Sequence, residues 1–122
     1  MAYEIPGYRM SGTAEGNLTG KIGCAVTCSA TEGFVLAAAA VPIDGVLDME
    51  GTAGQMVTAV TSGIVNAVFG AAVTKGDSLT TNAAGQFITA VNPNAIVGKA
   101  LEAGALDEVH PVLLGYKGVV PL

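Results

Sequence analysis

Slid against itself by 53 residues, the chain lays residues 21–45 on residues 74–98 without a gap. Gly23 falls on Gly76, Thr27 on Thr80, Ala30 on Ala83, Phe34 on Phe87, Ala37 on Ala90, Ile43 on Ile96 and Gly45 on Gly98. A fixed offset of this length marks a repeated supersecondary unit. What repeats is turn, strand, turn, strand without a helical period, so the unit is a β meander. One deleted residue extends the match, setting residues 55–60 on 109–114. In the second copy we expect strands at 78–81, 86–90, 95–101 and 109–114, with bends at Gly76-Asp77, Asn82–Gly85, Asn92-Pro93-Asn94 and 104–108. In the first copy they fall at 21–28, 33–38, 43–49 and 55–60, followed by a hairpin turn at Thr61-Ser62-Gly63 and a strand at 64–69. The fold class is therefore all-β: a small β-barrel domain built from two similar meanders, at residues 21–122, with the pseudo-repeat at 21–69 and 74–120.

Composition makes this a core of small pieces. There is no Trp, only three Phe and three Tyr, while Ala and Gly together reach about 30% of 122 residues. Such a chain forms one domain, or two half-size units sharing a core. Large aromatic burial cannot be the main stabiliser, which favours a tightly closed barrel or an oligomer interface. Within 86–90, Phe87 and Thr89 share one face and Ile88 and Ala90 the other, so both faces are partly apolar. That suits a barrel whose outside packs against arms or sister subunits. Pro111 removes a ladder donor and places its strand at an edge or near a bulge.

The net charge is −5, and the five basic residues, Arg9, Lys21, Lys75, Lys99 and Lys117, are scattered. Without a basic patch, nucleic-acid binding is not expected. The charge-free run between Glu50 and Lys75 is long enough for a membrane helix, but Gln55, Asn66, Ser62, several Thr and four Gly dilute it, so no membrane span is expected. The first ten residues show neither the basic region nor the apolar run of a secretory signal.

No motif supplies chemistry. Gly20-Lys21 and Gly98-Lys99 are followed by Ile and Ala, not by the hydroxyl of a phosphate loop. His110, the one imidazole, reads as a bland surface residue beside Glu108. Asp44, Asp48 and Glu50 read as a solvated rim, too sparse for calcium. Cys24 and Cys28, about 13 Å apart on one strand at about 3.3 Å per residue, read as free thiols. We expect a non-enzyme with no catalytic residue, metal or cofactor.

Residues 1–20 lie outside the repeat, and their Pro and Gly prevent a regular helix. They read either as an extended arm whose Tyr3, Ile5, Tyr8 and Met10 dock on a neighbour, by adding a strand to an edge, or as a frayed terminus.

The order Gly33-Phe34-Val35, Pro42–Leu47, Ala53–Val57, Val73–Asp77, Ala84–Phe87, Val97–Leu101 and Val112–Leu114 resembles the small capsid decoration, or cement, proteins of tailed bacteriophages. The resemblance covers most of the chain in short pieces. It implies a β-tulip-like barrel and a homotrimer on the outer capsid surface of the virion, made in the host cytoplasm. It also implies a structural role, stabilising the mature head by clamping neighbouring major capsid proteins, with residues 1–20 as an arm that orders on binding. On that reading, removing residues 1–20 leaves the barrel folded and abolishes attachment.

Two alternatives stand beside it. A biotinyl or lipoyl carrier module is also a duplicated small barrel, but Lys75 precedes the turn Gly76-Asp77 and Lys99 falls inside a strand, so neither is well displayed. A phage tail or fibre subunit shares the all-β, non-catalytic logic.

Overall fold

Turn residues and β-branched runs divide the chain as the sequence indicates, and the computed structural model describes residues 5–6, 8–28, 33–39, 43–91 and 95–119. Among these every regular element is a strand. They are β1 (Ile5–Pro6), β2 (Arg9–Ala14), β3 (Ala25–Cys28), β4 (Gly33–Leu36), β5 (Gly45–Met49), β6 (Met56–Val60), β7 (Gly63–Val68), β8 (Ser78–Thr81), β9 (Phe87–Thr89), β10 (Ala95–Ala100) and β11 (Val109–Val119). No helix among the described residues is long and apolar enough to cross a membrane. The charge-free run holds β6 and β7.

The two meanders do not share one barrel. Strands β2-β4-β3-β5-β6 close into a barrel of their own, and β1-β7-β11-β10-β8-β9 form a second sheet. A single parallel bridge from Phe69 to Phe87 brings the far end of β9 back to the end of β7. The second sheet thus follows the same circular order as the first: parallel where β2 meets β4 and where Phe69 meets Phe87, antiparallel at every other contact.

Backbone hydrogen bonds repeat at the same offset of 53. Gly23 donates to Leu47 as Gly76 does to Ala100, Leu47 donates to Cys24 as Ala100 does to Asp77, and Ala37 donates to Ala25 as Ala90 does to Ser78. The offset persists through the last strand, because Leu47 pairs with Ala59 and Ala100 pairs with Val112. The one-residue deletion expected before Gln55 is therefore absent. A one-residue slip there exchanges the inner and outer faces of a strand, and a Val/Ala/Leu pattern does not resist it.

Residues 9–18 are part of the first barrel rather than of an arm appended to the repeat. Arg9–Ala14 form a wall of the closed barrel, and Ala14 and Leu18 are buried in its core. Strand β2 corresponds to β7 at an offset of 55: the pairs Met10 with Ala59 and Val65 with Val112 occupy the same place. Nor is Thr61-Ser62 a hairpin turn, since β6 pairs with β2 and β5, and β7 with β11 and β1. The chain crosses there from one half to the other.

Both faces of the first barrel's strands are apolar for a reason internal to the chain. Val26, Phe34, Leu47, Val57 and Ala59 point inward and fill the barrel with Ala14 and Leu18. Ala25, Val46 and Val60 point outward and join one cluster with the second half's Val65, Phe69, Leu79, Phe87 and Val112. The part of the barrel's outside formed by Ala25, Val46 and Val60 is thus covered by the chain's other half. Gly85 sits over Ala25, whose N–H donates to the Gly85 carbonyl at 2.7 Å, and the Thr81 hydroxyl donates to Ala38 at 2.9 Å.

Pro111 lies in a strand flanked on both sides, by β7 and β10, rather than at an edge. It is tolerated because it stands at the end of the β10 ladder: the last β10 pair is Ala100 with Val112, and beyond it Leu101 N–H still donates to the Pro111 carbonyl at 3.2 Å, a bond that needs no proline N–H.

Two expected outcomes follow from this architecture. Gly23 and Gly76 share a left-handed φ, +91° and +92°, but a Cβ at Gly23 meets Val68 Cγ2 at 2.9 Å while one at Gly76 meets nothing within 4 Å. Both alanine variants carry a similar strain of about 1 kcal/mol, and Gly23→Ala adds about 1–3 kcal/mol of overpacking. Urea melts giving equal losses for the two would contradict the covered interface. Removing residues 1–14 should abolish cooperative unfolding of the first barrel, which circular dichroism during heating reads directly; an unchanged melt would show β2 to be dispensable.

Candidate functional site

The N-terminal segment is a strap across the two halves. Ile5 and Pro6 pair with Ile64 and Gly63 of the second half, and Arg9 to Thr13 pair with Val60 to Met56 of the first. Between them, the Tyr8 N–H donates to Ser62 Oγ at 3.1 Å and the Thr61 N–H donates to the Tyr8 carbonyl at 2.8 Å. The Tyr8 side chain is free of these bonds and 79% exposed. Of the other expected contact residues, Met10 packs on the first core, Ile5 is a β1 residue, and Tyr3 lies outside the described residues.

A bulge in β5 after Leu47 sets both Asp48 and Met49 against Thr58. Asp48 then accepts from Arg9 Nε at 2.6 Å and from the Thr58 hydroxyl, making a small polar network on the outer face, flanked by exposed Met49 and Met56. Sequence reasoning did not find this pairing, because it depends on a bulge. Asp44 accepts from the Cys28 N–H at 2.7 Å and Glu50 from the Gly20 N–H at 3.1 Å. The three acids thus serve separate places, Asp48 between strands and Asp44 and Glu50 on backbone N–H groups, and do not converge; no metal-holding group of side chains occurs among the described residues.

Cys24 is buried and Cys28 exposed, both as free thiols. Burial pushes the Cys24 thiol up; burial and then the Asp44 carboxylate do the same at Cys28. Neither is activated as a nucleophile.

His110 is not a lone surface residue. It occupies on β11 the inward position that Val57 holds on β6, half-buried under Gly104 and stacked on Phe69 with ring centroids 5.3 Å apart. Its Nδ1 lies 2.7 Å from Glu102 Oε1 and its Nε2 3.0 Å from Glu108 Oε1. Glu102 was missed because it lies just past β10, and the antiparallel pairing of β10 with β11 is what sets it beside His110. Hydrogen bonds to Glu102 and then Glu108 hold the imidazole pKa above its ordinary 6.5. The bond to His110 holds Glu108 below its ordinary 4.5. With both ring nitrogens engaged by carboxylates, the cluster is an ionic clasp at one end of the second sheet.

Lys75 lies exposed within the turn closed by Asp77 N–H donating to Thr74 at 3.1 Å, a better display than the sequence suggests, whereas Lys99 sits within β10.

The clasp fixes a pH dependence. A raised histidine pKa gives stability that is complete below the unfolded value near 6.5 and is lost as pH rises through the folded pKa. The lowered Glu108 value works oppositely, its contribution being lost as pH falls below 4.5. The melting temperature should therefore fall as pH is raised from 6 toward 8, and His110→Val, which copies Val57 of the first half, should flatten that slope. A slope unchanged in the variant would place its source elsewhere.

No protein-family model matches the chain, and no curated protein matches it. Among solved structures, it is similar to the head fiber gp8.5 N base of bacteriophage phi29, with a TM-score of 0.72 and 17% sequence identity. The similarity covers 88% of this chain and 93% of that one, and what the two have in common is the all-β fold.

Proposed function

We propose that the chain is a non-enzymatic structural component of a tailed-phage head. It binds the outer surface of the capsid as a homotrimer and stabilises the mature shell by bridging neighbouring major capsid proteins. The observation that carries this reading is the fold likeness, over nearly the whole of both chains, to a protein described as a phage head fiber base. The side chains agree with it. The one histidine is committed to an ionic clasp, the cysteines are unactivated, and the acids are spent on turns. Repeated weak contacts, multiplied by shell symmetry, are enough to stabilise the bound state by mass action.

The same likeness favours a second reading, in which the domain is the capsid-bound base of a fibre rather than a free-standing cement protein. Electron microscopy of virions separates the two: a compact knob marks cement, a projecting rod marks a fibre base.

The strap recasts where attachment resides. Residues 9–14 are structural, so contact with the shell falls to the exposed Tyr8 ring and to the residues preceding it. Cosedimentation with heads built from the major capsid protein of the same genome tests the reading. Expanded heads should bind the protein and unexpanded precursors should not, and Tyr8→Ala should weaken binding roughly tenfold, about 1.4 kcal/mol, without altering the melt. Equal binding to both head forms would remove the maturation part; binding to neither would remove the shell.

A further inference from the structure

Three tight turns of the chain are built alike. In each, the N–H of the first residue donates to the side chain of the fourth: Thr52 to Gln55 Oε1 at 2.8 Å, Thr74 to Asp77 Oδ2 at 3.0 Å and Ala105 to Glu108 Oε1 at 2.9 Å. The third residue is left-handed in all three, with φ of +88° at Gly54, +92° at Gly76 and +66° at Asp107. Asp107 is the one non-glycine residue with a positive φ among the described residues. The 105–108 turn therefore carries a backbone strain that glycine removes from its two counterparts.

Of the three, only this turn is tied to a group that titrates near neutrality. Asp77 Oδ2 takes a second bond from the Thr89 hydroxyl, whereas Glu108 Oε1 takes one from His110 Nε2 at 3.0 Å. His110 Nδ1 meets another carboxylate, Glu102, at 2.7 Å. An imidazole donates from both nitrogens only as the imidazolium. Its stacking on Phe69, with centroids 5.3 Å apart, suits that cation. Once neutral, the ring keeps one N–H, and its other nitrogen turns a lone pair on a carboxylate. The ring has no room to swing away, because it lies between Phe69 and the Gly104 backbone, where an added Cβ would collide with both rings. The Glu108 side chain is 55% exposed against 32% for Glu102, so Glu108 is the partner that gives way.

We infer that His110 is a proton-operated latch on the 105–108 turn: the imidazolium holds the turn in its strained form, and loss of one proton lets it open. The opening is local. Phe69 N–H still donates to the Glu108 carbonyl at 2.9 Å, and Gly104 and Val73 still exchange bonds, so the strands stay paired. What moves is the tip, where Leu106 stands 60% exposed, and the latch sets how that side chain is presented. The charges acting on the ring are Glu102 and Glu108. Of the charged groups on neighbouring elements, Asp107 accepts from Gln86, and Lys99 lies opposite Leu113 on the other face of the sheet. Asp77 is bonded to Thr74 and Thr89, and Lys75 is exposed on its own turn. Because hydrogen bonds to Glu102 and Glu108 hold the imidazole above its ordinary 6.5, the latch opens on the alkaline side of that value.

Nuclear magnetic resonance on the intact protein tests this and is indifferent to shell binding. Ring nitrogen shifts should show both His110 nitrogens protonated at pH 6.5, with the titration midpoint above it. Beyond that midpoint the exchange protection of the Ala105 amide should fall about tenfold per pH unit, while that of Thr74 holds. His110→Gln should leave Ala105 protection without a pH dependence in this range. Asp107→Gly, which supplies the residue of the two matching turns, should keep Ala105 protected on the alkaline side, and serves should the histidine variant not fold. A single protonated His110 nitrogen at pH 6.5, or Ala105 and Thr74 amides that follow one course through the titration, overturns the inference. So does either folded variant that keeps the wild-type pH dependence.

Discussion

One uninterrupted antiparallel register governs the molecule. From Ile5 opposite Ile64 to Thr13 opposite Met56, the N-terminal segment runs beside β6, the Thr61-Ser62 joint and β7 without a shift. A joint between two β units is ordinarily free to bend. Here Tyr8 bonds to it on both sides, through its carbonyl to the Thr61 N–H and through its N–H to the Ser62 hydroxyl, so the halves are set at one angle. The cost is long-range pairing, closed only after residue 64 has been made, which is the slow kind of contact to form. In return β2 is a wall of one barrel and β1 lengthens the sheet of the other.

With the angle fixed, small residues can do what aromatic bulk does elsewhere. The surface between the halves is built from Ala25, Val46, Val60 and Gly85, and it admits direct bonding of one half's backbone to the other, as from Ala25 to Gly85. Inside each barrel the filling differs while the plan is kept. The first has Ala14 and Leu47 where the second has Phe69 and Ala100, so volume gained on one strand is given up on another. Gly12 belongs to this accounting: a Cβ there lies 2.8 Å from the Phe34 ring. Phe87 and Phe69, both fully buried, each contribute roughly 3 kcal/mol of transfer free energy, which is why two Phe suffice for a half-size core.

The strand positions were legible because turn chemistry and β-branched runs are local; all four strands expected in the second copy are found within a few residues. The duplication was legible only where side chains coincide, between residues 21 and 45. Strand β2 and its counterpart β7 share no identical pair across Arg9–Ala14, so nothing in the letters assigned the N-terminal segment to the repeat. The turn ahead of the last strand hid the register in another way. Gly54 and Asp107 adopt the same left-handed conformation with different side chains, φ +88° and +66°. Closure defeated sequence reasoning altogether, because whether two meanders make one barrel or two depends on which edges meet. The clasp of His110 and the Arg9 network stayed hidden because their partners are set by the register of β10 on β11 and by a bulge in β5.

The differences between copies carry more information about use than their likenesses do. Likeness is what folding demands of a repeated plan, whereas a divergence at one matched position has to answer to that position's surroundings. The divergences sort by location. Inward exchanges such as Val57 for His110 bring polar partners with them, Glu102 and Glu108, so burial is compensated. The outward exchange of Arg9, Asp48 and Thr58 for Ile64, Leu101 and Pro111 replaces a bonded charge pair by hydrocarbon, of which Pro111 is buried and Ile64 and Leu101 are half-buried within the chain. An exposed pair such as Arg9 and Asp48 contributes less than about 1 kcal/mol to stability, so its loss is not itself the issue. What matters is how far the chain itself takes the apolar replacement out of water, which is nearly complete at Pro111 and partial at Ile64 and Leu101. The polar side chains are spent on turns and clasps, while the exposed apolar ones, such as Ile22 and Met56 in the first half and Leu106 and Val109 in the second, are spread over both halves.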